Sequence, residues 1–304
     1  MSLISYTNIN YIQKLHAITT LNNSLHNMSK FNHPQPSKIN SVVNTKPVKK
    51  PTVKPAVKPA VSAINKTTPY YTKKTTYNSI IPLKIYQTWY TKDLPDKMKE
   101  RVELLKVNNP EFEHCLFDDN DCREFIKNNY DANVLYAYDH LVPGAYKADL
   151  WRLCVLYKNG GIYMDIKLSC INNFKLIELS ETEHFVLDRV GPLSIYNALL
   201  VCKRDNPFLW RGICRIAANV RHRIYGKTPL DPTGPRLLGD IILRNNLKLN
   251  TDLIHYTHGG YILYNGHFVI STDYSEYKNE RTKIYNKINL KRYDKMWHER
   301  RIYK

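Results

Sequence analysis

The chain has 304 residues, 43% apolar and 24% charged, enough for one sizeable core or two small ones, which excludes a wholly disordered chain and a miniprotein. Lys and Arg outnumber Asp and Glu 45 to 27, a formal net charge of +18. The excess is uneven: residues 1–79 hold eleven Lys and no Arg, Asp or Glu, which leaves +7 for residues 80–304.

Residues 31–79 are rich in Pro, Lys, Thr and Asn and contain the near-repeat VKPAVKPAV. A run of this kind cannot bury a core, so residues 1–79 are expected to form a basic, largely disordered extension with a Pro/Lys-rich linker. Such a tail offers charge to an anionic partner, with a solvated linker as the bland alternative. The charge-free stretches 15–29 and 190–202 fall short of the ~18–20 apolar residues a membrane-spanning helix needs, and the longer 253–272 is broken by His, Thr, Gly and Asn. With no secretory signal pattern either, the expectation is a cytoplasmic or soluble protein without a transmembrane segment. Six Cys (115, 122, 154, 170, 202, 214) form no CxxC pair and are expected to be buried free thiols.

From residue 80 the pattern alternates between strand and helix, which predicts an α/β domain over 80–304. Residues 81–89 (IPLKIYQTW) read as a first strand, and Pro95 opens a helix with Met98, Val102 and Leu105 on one face. Asn109-Pro110 stops it, Phe112 to Phe117 follows as a strand, and Asp118-Asp119 begins another helix at its positive end. YKADLWRLCVLYK, from Tyr146 to Lys158, reads as a helix ended by Asn159-Gly160-Gly161, and Ile162-Tyr163-Met164 as a short buried strand. Thr233-Gly234-Pro235 turns into a helix over 237–243, whose N-terminal N–H groups could hold a phosphate or an acceptor oxygen. Asn265-Gly266, between Tyr261–Tyr264 and His267–Ile270, predicts a hairpin with a type I′ turn.

Asp149 and Arg152 lie three apart on one predicted helix, and Asp165 follows at the carboxyl end of a strand, where open α/β sheets bind ligands. Three polar groups therefore converge on one sheet edge. Taken alone, Asp149 and Arg152 would be a weak surface ion pair, Trp89 and Trp151 core residues, and the two glycines a helix stop.

The block ADLWRLCVLYKNGGIYMD resembles the core of the Och1-like and bacterial-toxin-like glycosyltransferases whose sugar-binding region contains a DXD motif. IPLKIYQTW, LFDDNDCREFI and Thr233-Gly234-Pro235 resemble further motifs of that family in the expected order. The resemblance implies a GT-A-type, Rossmann-like nucleotide-sugar-binding sheet with flanking helices and a C-terminal β-hairpin over 80–304. It further implies sugar transfer, with retention of configuration, from a UDP- or GDP-linked donor to a hydroxyl of a glycan, protein or small-molecule acceptor. Carried over by position, Trp89 would stack on the base, and Asp149 and Arg152 would hold sugar hydroxyls. Tyr163 would shape the donor pocket, and Asp165 would contact ribose, sugar or metal. Trp297 would cover the pyrophosphate, and His298 would join Asp165 as a ligand of Mn²⁺ or Mg²⁺.

Where the family has the second acid of its DXD motif, this chain reads Asp165-Ile166-Lys167. A lysine ammonium has no lone pair for a metal and repels a neighbouring cation. Three readings stay open: Lys167 supplies the metal's charge in a metal-independent enzyme, Asp165 and His298 still bind a metal, or catalysis is lost and a non-catalytic sugar- or nucleotide-binding protein remains. A basic nucleic-acid-binding protein is a more distant alternative, because the folded part carries little excess charge and no nucleic-acid module.

Overall fold

The computed structural model describes residues 70, 74–188, 194–243, 252–256 and 259–304. The expected extension thus falls outside the described residues except at 70 and 74–79. Those few lie against the folded domain, ahead of the expected boundary at 80. The Tyr70 N–H donates to the Asn172 carbonyl at 2.6 Å, its ring meets Phe174 edge-on at 5.1 Å, and the Tyr77 hydroxyl donates to Glu178 at 2.6 Å.

One nine-stranded mixed sheet organises the domain, in the order β2-β1-β3-β6-β5-β7-β8-β9-β4. Its strands are β1 (Lys84–Thr88), β2 (Glu113–Phe117), β3 (Gly161–Met164), β4 (Ser169–Cys170), β5 (His184–Asp188), β6 (Ser194–Cys202), β7 (Leu253–Tyr256), β8 (Tyr261–Tyr264) and β9 (His267–Ser271). The helices are α1 (Asp96–Asn108), α2 (Asp119–Asn129), α3 (Ala132–His140), α4 (Gly144–Asn159), α5 (Pro207–Arg221), α6 (Pro235–Leu243), α7 (Tyr277–Lys287) and α8 (Tyr293–His298). The expected α/β sheet with flanking helices is present, as is the hairpin of β8 and β9. The sheet is parallel only at β2-β1-β3 and β5-β7, whereas β6 runs antiparallel to both β3 and β5.

Alternation along the strands divides the core. Ile85, Ile162 and Met164 enter one apolar cluster, and Tyr86 and Tyr163 enter the other with Trp151, Leu153 and Leu156 of α4. That is the period of two a sheet buried on both faces requires. Trp151 is fully buried 4.9 Å from the Phe117 ring, as a core residue should be. All six Cys are free thiols.

The anchors legible in the sequence are in place. Met98, Val102 and Leu105 are the buried face of α1. Asp118 caps α2, its carboxylate accepting from the Asp121 N–H while the Asp121 carboxylate accepts from the Asp118 N–H. Asn265 and Gly266 both have positive φ, as a type I′ turn demands. The junction from α4 to β3 depends on two glycines with φ of 64° and 113°. A Cβ at Gly161 would sit 2.8 Å from the Lys84 carbonyl, so the bare backbone is what lets β3 close against β1.

Candidate active site

Because β1 and β3 are parallel and β6 is antiparallel to β3, one sheet edge gathers the carboxyl ends of the first two and the start of the third. The Asp165 N–H donates to the Ala198 carbonyl at 2.8 Å, which pins the end of β3 to β6. A turn follows, closed by the Leu168 N–H on the Asp165 carbonyl. Ile166 and Leu168 are buried in it, and Lys167 is half-buried at the cleft.

Two clefts meet at this edge. The first, with about 810 Å³ of space including its open mouth, is lined by Trp89, Tyr163, Ile166, Tyr277, Tyr285 and Leu290 among others. The second is lined by Asp149, Tyr196, Asn197, Leu230, Gly234 and Tyr293 among others. Ala145, Arg152, Asp165 and Lys167 line both, so the last three are the polar side chains of the wall the clefts share.

The wall is braced from behind. The Tyr163 hydroxyl donates to Asp165 Oδ1 at 2.8 Å, and burial pushes its pKa well up, so it stays a donor. The Arg152 guanidinium lies 4.4 Å from the Tyr163 ring centre, a cation–π contact. Its Nη1 donates to the Asn197 carbonyl at 2.7 Å and its Nε to the Ala148 carbonyl at 3.2 Å, while Nη2 lies 3.4 Å from Asp149 and 3.5 Å from Asp165. Every nitrogen of Arg152 is thus engaged within the protein.

Asp149 is 8% exposed. Burial pushes its carboxyl above the usual range, opposed by the neighbouring guanidinium and two hydrogen bonds. The bonds come from Asn197 Nδ2 at 2.9 Å and Thr233 Oγ1 at 2.7 Å, so Asp149 ties α4, β6 and the turn before α6 together. Gly234 stands close behind, since a Cβ there would approach Asp149 Oδ2 to 3.4 Å.

Trp89 leaves β1 into the first cleft, packed edge to face with Tyr90 at 5.8 Å and Tyr277 at 6.4 Å. Sequence reasoning did not foresee Tyr277, Tyr285 and Leu290 in this cleft, or Asn197 in the second. Tyr277, Tyr285 and Leu290 come from a polar segment far along the chain and Asn197 from the buried strand β6, with no motif to mark any of them.

Two expected site residues are elsewhere. Trp297 lines neither cleft; its indole N–H donates to the Tyr225 carbonyl at 2.7 Å and its ring packs against the core. His298 is exposed and meets the Trp297 ring at 5.0 Å. It lines neither cleft. Among the described residues, no three His, Cys, Asp or Glu side chains are grouped so as to hold a metal ion. Asp165 Oδ1 is already taken up by Tyr163 and Arg152, and the next polar side chain is an ammonium. The donor set does not fit a divalent cation. His255 is satisfied within the fold, bonded to Asp188 at 3.1 Å and stacked on Tyr196 at 3.8 Å; His258 lies outside the described residues.

Residues 95–185, from the start of α1 into β5, match the family described as a glycosyltransferase sugar-binding region containing a DXD motif. That stretch, under a third of the chain, is what is similar to a glycosyltransferase sugar-binding region. Asp149, Arg152, Asp165 and Lys167 lie within the matched stretch, whereas Trp89, Asn197 and Thr233 lie outside it. The chain is 34% identical over 167 residues to inositol phosphoceramide mannosyltransferase 3 of Schizosaccharomyces pombe, an overlap of 54% of this chain and 45% of that one. It is 34% identical over 97 residues to an uncharacterised glycosyltransferase of Acanthamoeba polyphaga mimivirus, covering 31% of this chain and 38% of that one. The chain therefore spans less than half the length of these relatives. The solved PaToxG glycosyltransferase aligns with a TM-score of 0.43 at 15% identity, over 54% of this chain and 70% of that one.

The expectation of a cytoplasmic or soluble protein is overturned by these similarities. Several relatives are named for inositol phosphoceramide or mannosyl phosphorylinositol ceramide, which are membrane lipids. Among the described residues no helix is long and apolar enough to cross a membrane.

Proposed function

We propose that the chain transfers a hexosyl group from a nucleoside diphosphate donor to a hydroxyl group of an acceptor, with retention of configuration. Several relatives are named mannosyltransferases, which favours mannose as the sugar. The observation that carries the reading is the shared wall of Arg152, Asp165 and Lys167 between two clefts, one aromatic and one lined by hydrogen-bonding groups. The base stacks on Trp89 in the first cleft, the sugar lies along the wall, and the acceptor enters from the second cleft. Transfer breaks the bond between the anomeric carbon and the phosphate oxygen, whose electron pair leaves with the diphosphate. The acceptor oxygen bonds that carbon on the same face and passes its proton to the departing phosphate oxygen.

The test is release of nucleoside diphosphate from GDP- and UDP-sugars by the full chain, with acceptors that include inositol phosphoceramide, mannosides and a protein glycan. Release from one donor, raised by one acceptor, is expected. It should fall by about 100-fold or more in Asp165→Asn, because the wall then loses its charge beside the reacting sugar. Trp89→Ala should raise KM for the donor more than it lowers kcat. A folded protein that releases nothing from any donor with any acceptor would overturn the proposal.

A further inference from the structure

Resting on the donor reading above, we infer that the Lys167 ammonium holds the donor's diphosphate in the place a divalent cation would otherwise occupy, so that diphosphate binding needs no metal. A leaving diphosphate brings at least two negative charges, and something on the wall must meet them. Arg152 and Lys167 are the two cations lining both clefts. Arg152 is occupied: its three nitrogens face two backbone carbonyls and the carboxylates of Asp149 and Asp165. Lys167 makes no hydrogen bond or ion pair with any described residue. The residue is half-buried, with the three donors of its ammonium free and its stem set by the turn between the buried Ile166 and Leu168.

The surroundings exclude the alternative on chemical grounds. A divalent cation at this wall would have one carboxylate, Asp165, already bonded to Tyr163 and facing Arg152, and it would sit beside a like charge. An ammonium against phosphate oxygens needs no such ligand set and forms charge-assisted hydrogen bonds directly.

Calorimetric titration of the full chain with GDP, UDP and the matching nucleosides, in EDTA and in Mn²⁺, tests the inference without requiring turnover. One diphosphate should bind with the same Kd within about twofold in either buffer. Lys167→Ala should weaken the diphosphate by about tenfold or more, the loss expected for a hydrogen bond to a charged group, while changing nucleoside binding by less than about twofold. Lys167→Asp, which restores a second carboxylate, should make diphosphate binding depend on Mn²⁺. Thermal melts of both variants within a few degrees of wild type certify the fold. Wild-type binding that requires Mn²⁺, or binding indifferent to Lys167→Ala, overturns this inference while leaving the donor reading standing. Failure of every nucleotide to bind in either buffer removes the donor reading and this inference with it.

Discussion

Asp149 shows how a single carboxylate can carry structure and chemistry together. It is buried, opposed by Arg152, and clamped by Asn197 and Thr233, each from a different element. Removing a clamp leaves a buried charge short of a partner, which costs more than the bond itself contributes. Thr233→Val should therefore lower stability by about 1–3 kcal/mol in urea denaturation. A residue that merely ended a helix would not show this. Arg152→Lys should also be severe despite retaining the charge, because one ammonium cannot face the Asn197 carbonyl, two carboxylates and the Tyr163 ring at once. Its kcat/KM should fall by about 100-fold or more, measured on the donor identified above.

Among the elements, the passage from α4 to β3 places the most chemistry for the fewest residues. The helix presents Asp149 and Arg152, two glycines reverse the chain, and four residues later Asp165 emerges at the sheet edge. Gly161→Ala should destabilise by more than about 2 kcal/mol, combining a left-handed backbone with a Cβ pressed on the Lys84 carbonyl. Gly144, at the first turn of α4, is the control: a Cβ there meets nothing within 4 Å, and its φ is not positive. Gly144→Ala should be neutral or stabilise by about 0.4–1 kcal/mol, since it narrows the unfolded ensemble. Paired equilibrium unfolding curves check both.

Across the whole molecule, the buried His184 and the half-buried His114 make stability depend on pH. Burial lowers the pKa of His114 and of His184 from 6.5 to about 4 in the folded protein. As pH falls below 6.5 the proton goes first to the unfolded chain, so stability is intact above 6.5 and erodes towards 4. The melting temperature should decline between pH 6.5 and 5, ahead of the carboxylate range, and the double variant His114→Asn, His184→Asn should flatten that decline. Closure of the first cleft is another property of the whole. Tyr277 and Tyr285 come from α7, which is tied to α1 where Glu280 accepts the Lys97 N–H at 3.0 Å.

The sequence by itself determined what depends on neighbours along the chain. The buried face of α1, the Asp118 cap, the glycine reversal before β3, the Asn265-Gly266 turn and the convergence of Asp149, Arg152 and Asp165 all follow from local periodicity, capping and backbone freedom. Lys167, two residues after Asp165, was equally plain. Only the tertiary structure decided which side chains were free to act. It occupied every nitrogen of Arg152 and left Lys167 open, brought Asn197 and Thr233 to Asp149, and closed the aromatic cleft with α7. It also gave the Trp297 indole N–H a carbonyl at Tyr225 and left the His298 imidazole on the surface. Those outcomes turn on hydrogen-bond partners supplied by segments tens to more than a hundred residues away, and no local pattern in the chain encodes which partner that is.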